Sequence, residues 1–115
     1  MKQGQWFRVP IYGVKVRVYE GDPGRISKEL NFVFEPGHET EIDTCDGAVF
    51  DHGNGTYTFI VVEKATIGRV ISHEVYHLTT QILSYVGVRQ TPEGNEAHAY
   101  LLGFLMDKIL KLLNR

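Results

Sequence analysis

The spacing of hydrophobic residues changes along the chain, from every second position in the first half to every third or fourth in the second half. Valines alternate with charged residues and a tyrosine over 14–20, which predicts a half-buried strand, and another β-rich run covers 8–12. The runs 48–51 and 57–63 flank the turn sequence His-Gly-Asn-Gly at 52–55. Glycine and asparagine tolerate the positive φ angles of tight turns, so these two runs predict a hairpin.

The second half of the chain predicts two long helices. The first covers about 66–86, with a threonine as its capping residue, and ends at Gly87, which can adopt the left-handed conformation that terminates helices. The second covers about 91–113 and has a proline in its first turn, where the missing N–H costs nothing. A short helix is predicted over 25–31. The polar stretch 35–46 has no periodic pattern and is interpreted as a loop.

This order of elements is typical of an α+β fold. Two long helices joined by a short link should pack antiparallel against the strands. We therefore expect a small, about four-stranded, mixed or antiparallel sheet packed on two long antiparallel helices. With 115 residues, the chain has the length of one domain, covering 1–115.

Composition and charge exclude several classes of protein. An aromatic content of 11% and a net charge of only −2 exclude a disordered chain, and 12 basic against 14 acidic residues without a basic stripe argue against a nucleic-acid partner. No apolar run reaches the roughly 18–20 residues that a membrane-spanning helix needs. Cys45 has no second cysteine in the chain, which favours a reducing compartment. We expect a soluble, cytoplasmic protein without a membrane or nucleic-acid partner.

The first long helix contains the sequence His-Glu-Val-Tyr-His at 73–77, an HExxH motif. Side chains four residues apart lie on one face of a helix, so His73 and His77 can bind one Zn²⁺ while Glu74 reaches a water on the metal. The two histidines lie nearly opposite an apolar stripe, which argues against a role as core filler. That stripe consists of Ile71, Val75, Leu78, Ile82 and Val86. The helical wheel leaves open that both histidines are ordinary surface residues.

A catalytic zinc site needs three protein ligands and one open position, and the second helix offers two further residues. An antiparallel helix pair would bring Glu96 close to His77. Its helix face is shared by Tyr100, Gly103 and Asp107, and the glycine would let the two helices approach closely. His98 points about 200° away from Glu96, so one helix cannot bring both to the same metal. We favour Glu96 as the third ligand.

The motif at 73–77 and the sequence Asn-Glu-Ala-His-Ala-Tyr at 95–100 together resemble the gluzincin, thermolysin-like metallopeptidases. In that group a glutamate on the next helix completes the zinc site. The chain is also similar to small HExxH proteins of phages and mobile elements and to ImmA/IrrE-type peptidases. The resemblance covers about 57–103 and implies a minimal zincin-like fold with His73, His77 and Glu96 as zinc ligands. The metzincin continuation HExxHxxGxxH is absent.

This interpretation predicts zinc-dependent hydrolysis of a peptide bond, with a metal-bound water as nucleophile and Glu74 as general base. Tyr100 and His98 are the candidates for stabilising the oxyanion, although both residue types also occur packed between helices or on the surface. The substrate would bind as an extended peptide added to the strand 57–63, unless that strand is already paired on both sides. A chain of this size has little room for deep subsites, so we expect a peptide or protein substrate, such as one specific protein partner.

Two other interpretations stay open. In one, the protein is a non-catalytic zincin-fold binding or regulatory module with structural or vestigial zinc. Its protein contact would then involve exposed aromatic residues near the N-terminus, namely Trp6, Phe7 and Tyr12. In the other, it is a zinc-free α+β domain. No ligand spacing joins the remaining candidates for metal binding, and we expect structural or solvent-exposed roles for His38, Cys45 and His52. The sequence does not indicate the oligomeric state.

Overall fold

The computed structural model describes residues 4–30, 46–93 and 95–115. The predicted loop 35–46 lies outside this part of the chain except for its last residue, and so do His38 and Cys45. In chain order the described elements are β1 (Gln5–Val9), β2 (Val14–Glu20), α1 (Pro23–Glu29), β3 (Gly47–Asp51), β4 (Thr56–Val61), a π-helical turn (Ile67–Ile71), α2 (Ser72–Tyr85) and α3 (Asn95–Leu112).

The four described strands form one mixed sheet in the order β1-β2-β4-β3. β1 and β2 are antiparallel, β2 and β4 are parallel, and β3 and β4 form the predicted antiparallel hairpin. Gly53 and Gly55 in its turn have φ angles of 79° and 80°, the conformation for which glycine is suited. The α+β class, the mixed sheet and the hairpin are thus confirmed.

The first strand lies three residues earlier than predicted, at 5–9 instead of 8–12. Pro10 follows it directly, and proline has no N–H to donate to the ladder. The chain then turns through Ile11 and Gly13, whose φ angles are 73° and 69°. The β-prone side chains near this turn therefore belong to the connection and not to the strand.

One face of the sheet is buried under the two long helices. The strands contribute Phe7, Val9, Val14, Val16, Val18, Tyr57, Phe59 and Val61 to a single hydrophobic cluster. α2 contributes Val75, Leu78, Ile82 and Leu83, and α3 contributes Leu101, Leu105 and Ile109. The apolar stripe predicted for the first long helix is therefore its buried face, with Ile71, Val75, Leu78 and Ile82 all fully buried.

Contacts at the two ends of α3 show that the long helices run antiparallel. Arg115, after the C-terminal end of α3, binds the carbonyl oxygens of Glu63 and Ala65, which precede α2, and Glu20 at 2.6 Å. At the other end of α3, His98 contacts Tyr76 in α2. Within the described residues, no helix is both long and apolar enough to cross a membrane.

The helix ends differ in part from the prediction. Gly87, with φ 81°, follows α2 as expected. The side chain of Thr66 makes no capping hydrogen bond, because the chain enters α2 through the π-helical turn instead of a regular first turn. α3 begins at Asn95, four residues later than predicted. The predicted short helix is present at Pro23–Glu29, where the Asp22 side chain accepts a hydrogen bond from Gly24 N.

Candidate metal and catalytic site

The π-helical turn leads directly into the HExxH motif. The backbone N–H groups of Val70 and Ile71 both donate to the carbonyl oxygen of Thr66, at 3.1 and 2.9 Å. Ser72, the first residue of α2, donates its hydroxyl to the carbonyl oxygen of Gly68 at 3.0 Å. π-helical turns are rare and occur frequently at functional sites. Here one ends immediately before the motif.

His73 and His77 point their imidazole rings toward each other. Their Nε2 atoms are 3.1 Å apart and their ring centroids 4.7 Å apart. Two imidazoles bound to one tetrahedral Zn²⁺ at about 2.0–2.1 Å place their nitrogens about 3.3 Å apart. The side chain of His73 is 64% exposed, so water and ions can reach the pair. The pair therefore has the spacing and the accessibility of two ligands to one metal ion.

Glu74 is the carboxylate of the motif, and its side chain is nearly buried. Only 13% of its side chain is exposed, and Oε1 lies 3.9 Å from His73 Nε2. Burial raises the pKa of Glu74 above its usual value, whereas the charges of His73 and His77 act in the opposite direction. A nearly buried carboxylate beside the histidine pair is a suitable proton acceptor.

Strand β3 covers Glu74 at a position without a side chain. A Cβ atom on Gly47 would lie 2.8 Å from Glu74 Cγ and 3.2 Å from the carbonyl oxygen of Ile60. Next to Gly47, the carboxylate of Asp46 accepts a hydrogen bond from the guanidinium of Arg69 in the π-helical turn at 3.2 Å. The backbone carbonyl oxygen of Asp46 accepts a second one, at 3.0 Å, from the backbone N–H of Val62, which directly follows β4. The start of β3 is thus tied both to the end of β4 and to the segment that precedes α2.

The second long helix packs with a different face from the one predicted. Glu96 is exposed, and so are the residues of its face, Tyr100, Gly103 and Asp107. Tyr100 is 76% exposed, and nothing lies within 4 Å of a Cβ built on Gly103. The predictions that this face approaches α2, and that Gly103 allows close helix contact, are therefore wrong. The reason is the apolar stripe Leu101, Leu105 and Ile109, which lies on the opposite side of α3 and is buried.

Within the described residues, no three His, Cys, Asp or Glu side chains lie close enough together to hold a metal ion. The structure therefore brings His73 and His77 together and brings neither Glu96 nor His98 to them as a third ligand.

His98 is the residue in the first turns of α3 that faces α2. It is only 8% exposed, and its ring centroid lies 5.4 Å from that of Tyr76. The Nε2 atom of His98 is buried and has no hydrogen-bond partner among the described residues. The ring centroid of Tyr76 in turn lies 6.3 Å from that of His77, so the Tyr76 ring lies between His77 and His98. Tyr76 was not among the predicted site residues, although its position inside the motif was an available signal.

A cleft of about 510 Å³ lies between the second half of α2 and the start of α3. It is lined by His98 together with Thr80, Leu83 and Ser84 of α2. Thr80 and Ser84 continue the helix face that carries the two histidines of the motif, because residues at i, i+4, i+7 and i+11 lie in line along a helix. The cleft is therefore next to the histidine pair along α2.

The strand predicted to receive an extended substrate is not accessible. β4 is paired with β2 on one side and with β3 on the other, so its backbone cannot accept a guest strand and that prediction is wrong. Among the four described strands, β3 is the outer neighbour of β4 and has no further strand beside it. The start of β3 at Gly47 lies against the side chain of Glu74.

The aromatic residues near the N-terminus have structural contacts. Phe7 is buried and packs edge-to-face on Phe104, and Tyr12 packs against the core. Trp6 is 49% exposed, but its ring lies under the guanidinium of Arg17 at 4.8 Å. Phe7 and Tyr12 are therefore not a free contact surface.

The histidine of the hairpin turn lies away from the motif. Nε2 of His52 is 2.7 Å from Thr58 Oγ1 in β4, which is a hydrogen bond within the hairpin. Burial lowers the pKa of His52, and the neighbouring charge of Arg17 acts in the same direction. These contacts agree with the structural role expected for this residue.

Comparison with known protein families, curated proteins and solved structures finds no match to this chain. Function therefore has to be inferred from the geometry of the histidine pair, Glu74 and strand β3.

Proposed function

We propose that this protein is a zinc-dependent peptidase, with His73 and His77 as metal ligands and Glu74 as general base. The observation that carries the proposal is the 3.1 Å separation of the two Nε2 atoms beside the nearly buried Glu74 carboxylate. The family resemblance implies Glu96 as the third ligand, although this side chain is exposed and the described residues form no group of three at the histidine pair. Neutral imidazoles together with one further ligand are a frequent set in hydrolytic zinc sites.

Zinc in such a site lowers the pKa of water and polarises a carbonyl group. Glu74 accepts the proton of the attacking water and delivers it to the leaving amine. Burial supports this role, because in the metal-free protein it raises the pKa of the Glu74 carboxyl. Tyr100 and His98 are the α3 residues proposed to stabilise the oxyanion, and of these only His98 contacts α2.

The proposed substrate is an extended segment of a protein or peptide, with one specific protein partner as the simplest case. Backbone hydrogen bonds can hold such an extended segment without a deep pocket, which suits the small size of the domain. The segment would pass Glu74, whose side chain lies against the start of β3 at Gly47.

The test compares untagged, zinc-loaded wild-type protein with the Glu74→Gln variant. Each is incubated with a mixture of cellular proteins, and newly formed N-termini are labelled and identified by mass spectrometry. We expect new termini with the wild type, none with Glu74→Gln, and equal zinc content in the two proteins by elemental analysis. Treatment of the wild type with a chelator should also abolish them.

Two outcomes would contradict this proposal in different ways. If wild type and Glu74→Gln generate the same set of termini, or neither generates any, the peptidase assignment is wrong. A zinc-loaded protein without cleavage would then favour the binding-module interpretation. If the untagged protein contains no stoichiometric zinc, and His77→Asn changes nothing in its metal content, the metal site itself is wrong.

A further inference from the structure

We propose that the sheet face opposite the two long helices binds a single strand of nucleic acid. Side chains alternate along each strand, so the residues between the buried ones form this outer face. It carries Arg8, Lys15 and Arg17 together with the half-exposed ring of Trp6. Because α2 and α3 cover the other face of the sheet, the inference goes beyond the proposed peptidase and does not depend on it.

Strand pairing brings the three cations together. Arg8 lies directly opposite Lys15 in the register of β1 and β2, and Arg17 follows Lys15 by two residues on the same face. Like charges in directly opposite positions destabilise a pair of strands. The outer face therefore carries a cross-strand repulsion that the fold itself does not need. Because the cations come from two strands, the order of residues along the chain shows no basic stripe.

This positive charge is not neutralised by neighbouring side chains. No aspartate or glutamate lies on the outer face of the four described strands. No hydrogen bond or ion pair joins the side chain of any of the three cations to another residue in the described part of the chain. The whole chain has a net charge of −2, so the outer face is a local concentration of positive charge.

Two aromatic rings hold the guanidinium of Arg17 in place. Its Cζ atom lies 4.8 Å from the ring centroid of Trp6, its cross-strand partner, and 5.3 Å from that of Tyr19. The Nε atom of Arg17 is buried and has no hydrogen-bond partner among the described residues, although buried polar atoms are nearly always paired. The stack thus fixes a positive charge without pairing it, which favours binding of an anion.

Two clefts on the outer face meet at Trp6. One has a volume of about 450 Å³ and is lined by Trp6, Phe7, Arg8, Lys15 and Thr56. The other has a volume of about 400 Å³ and extends from Trp6, Arg17 and Tyr19 to α1. The two carboxylates at its α1 rim already have partners, since Asp22 caps α1 and Glu29 pairs with Arg25. A bound strand can therefore pass over Trp6 from one cation-lined cleft to the other.

The combination of cations and an aromatic ring identifies the occupant. Proteins bind single-stranded nucleic acids with cations that contact the phosphates and aromatic rings on which the bases stack. Trp6 is 49% exposed, so a base can reach its ring although Arg17 lies over it. A duplex keeps its bases stacked on one another and offers none of them to Trp6. An acidic peptide would use the cations and leave the ring without a role.

The experiment measures binding of the full chain to a short, fluorescently labelled oligothymidylate by fluorescence anisotropy. Affinity is determined over about 20–200 mM salt, and three phosphate contacts predict a slope of log affinity against log salt of about −2, since each contact on a single strand contributes about −0.7. Trp6 is the only tryptophan of the chain. A base stacked on it should therefore quench the tryptophan fluorescence of the protein.

Variants separate the contribution of charge from that of stacking. Arg8→Gln and Lys15→Gln each remove one phosphate contact and should change the slope to about −1.4. Both should stay folded, because each also removes the repulsion between opposite strands. Trp6→Leu should weaken binding by about 5- to 150-fold, the range for one stacked base. Lys108→Gln, at an exposed lysine of α3, is the matched control and should bind as the wild type does.

Several results would overturn the inference. These are an absence of binding at about 20 mM salt, or a slope that Arg8→Gln and Lys15→Gln leave unchanged. Equal affinity for a duplex of the same length would show that stacking does not contribute, and equal affinity for polyglutamate would show that the face recognises negative charge alone. If AMP quenches Trp6 at the same concentration as the oligonucleotide, the site binds single nucleotides and not a strand. None of these readouts requires zinc or cleavage, so this inference and the proposed function can fail independently.

Discussion

The contact between Gly47 and Glu74 predicts the effect of adding one methyl group. In Gly47→Ala, the new Cβ would lie 2.8 Å from Glu74 Cγ, well inside normal van der Waals distance, and 3.2 Å from the backbone oxygen of Ile60. Overpacking of this kind costs about 1–3 kcal/mol. Gly47 does not have a positive φ angle, so alanine also gains about 0.4–1 kcal/mol by restricting the unfolded chain. We expect a net destabilisation of about 1–2 kcal/mol.

A double-mutant cycle tests whether Glu74 is the cause. Glu74→Ala removes Cγ and Cδ, so of the three atoms nearest to the new Cβ only the oxygen of Ile60 remains, and Gly47→Ala should then cost less than about 0.5 kcal/mol. The coupling between the two substitutions should then be about 1 kcal/mol or more. Urea unfolding of the four proteins in the presence of a chelator gives all the required free energies.

The control is a glycine with open space around it. Gly103 lies in the interior of α3, and a Cβ atom added there would have nothing within 4 Å, so Gly103→Ala should stabilise the protein by about 0.5–1 kcal/mol. An equal cost of Gly47→Ala with and without Glu74 would refute the explanation, because the strain would then come from the strand and not from the general base.

Burial and charge lead to three more expected outcomes. Burial raises the pKa of Glu74, so ionising this side chain destabilises the metal-free fold, and Glu74→Gln should be more stable than wild type at pH 7. The difference in unfolding free energy should shrink as the pH falls through the raised pKa and disappear below the ordinary glutamate pKa of about 4.3. A variant less stable than wild type at pH 7 would contradict this. Glu20→Gln breaks the nearly buried ion pair with Arg115 and should lower the free energy of unfolding in urea by about 3 kcal/mol. Glu29→Gln breaks the exposed ion pair with Arg25 and should lower it by less than about 0.5 kcal/mol. Equal losses in the two variants would refute this distinction. Leu105→Ala, at a fully buried position, should lower the unfolding free energy by about 2–5 kcal/mol, and a loss below about 1 kcal/mol would show that α3 is not packed as described.

Local sequence signals were sufficient for most of the fold. The turn glycines placed the β3–β4 hairpin, and Gly87 placed the end of α2. Local sequence signals did not predict the structure where its geometry depends on a neighbouring segment. A π-helical turn has no distinctive composition, so the entry to α2 through Ile67–Ile71 could not be predicted. The ion pair of Arg115 with Glu20 joins residues far apart in sequence, and no periodicity connects them.

The contact of β3 with the proposed general base was also outside the reach of sequence patterns. A glycine such as Gly47 has a role that depends on what lies opposite it, and the Glu74 side chain comes from a different element. By contrast, the helix spacing of His73 and His77 was sufficient to predict that they share one exposed face, and their facing nitrogens agree with that prediction.

The rotation of α3 was predictable in principle, since it follows from its own apolar stripe. The loop length and the resemblance favoured Glu96, but neither determines which side of a helix meets its neighbour. Leu101, Leu105 and Ile109 determine it, because burying three large aliphatic side chains contributes several kcal/mol, about 1.5–3 kcal/mol each, which exceeds the gain from turning one exposed glutamate inward. A ligand on the side of Glu96 would have to offset that loss through metal binding. The same packing holds His98 against Tyr76 of α2.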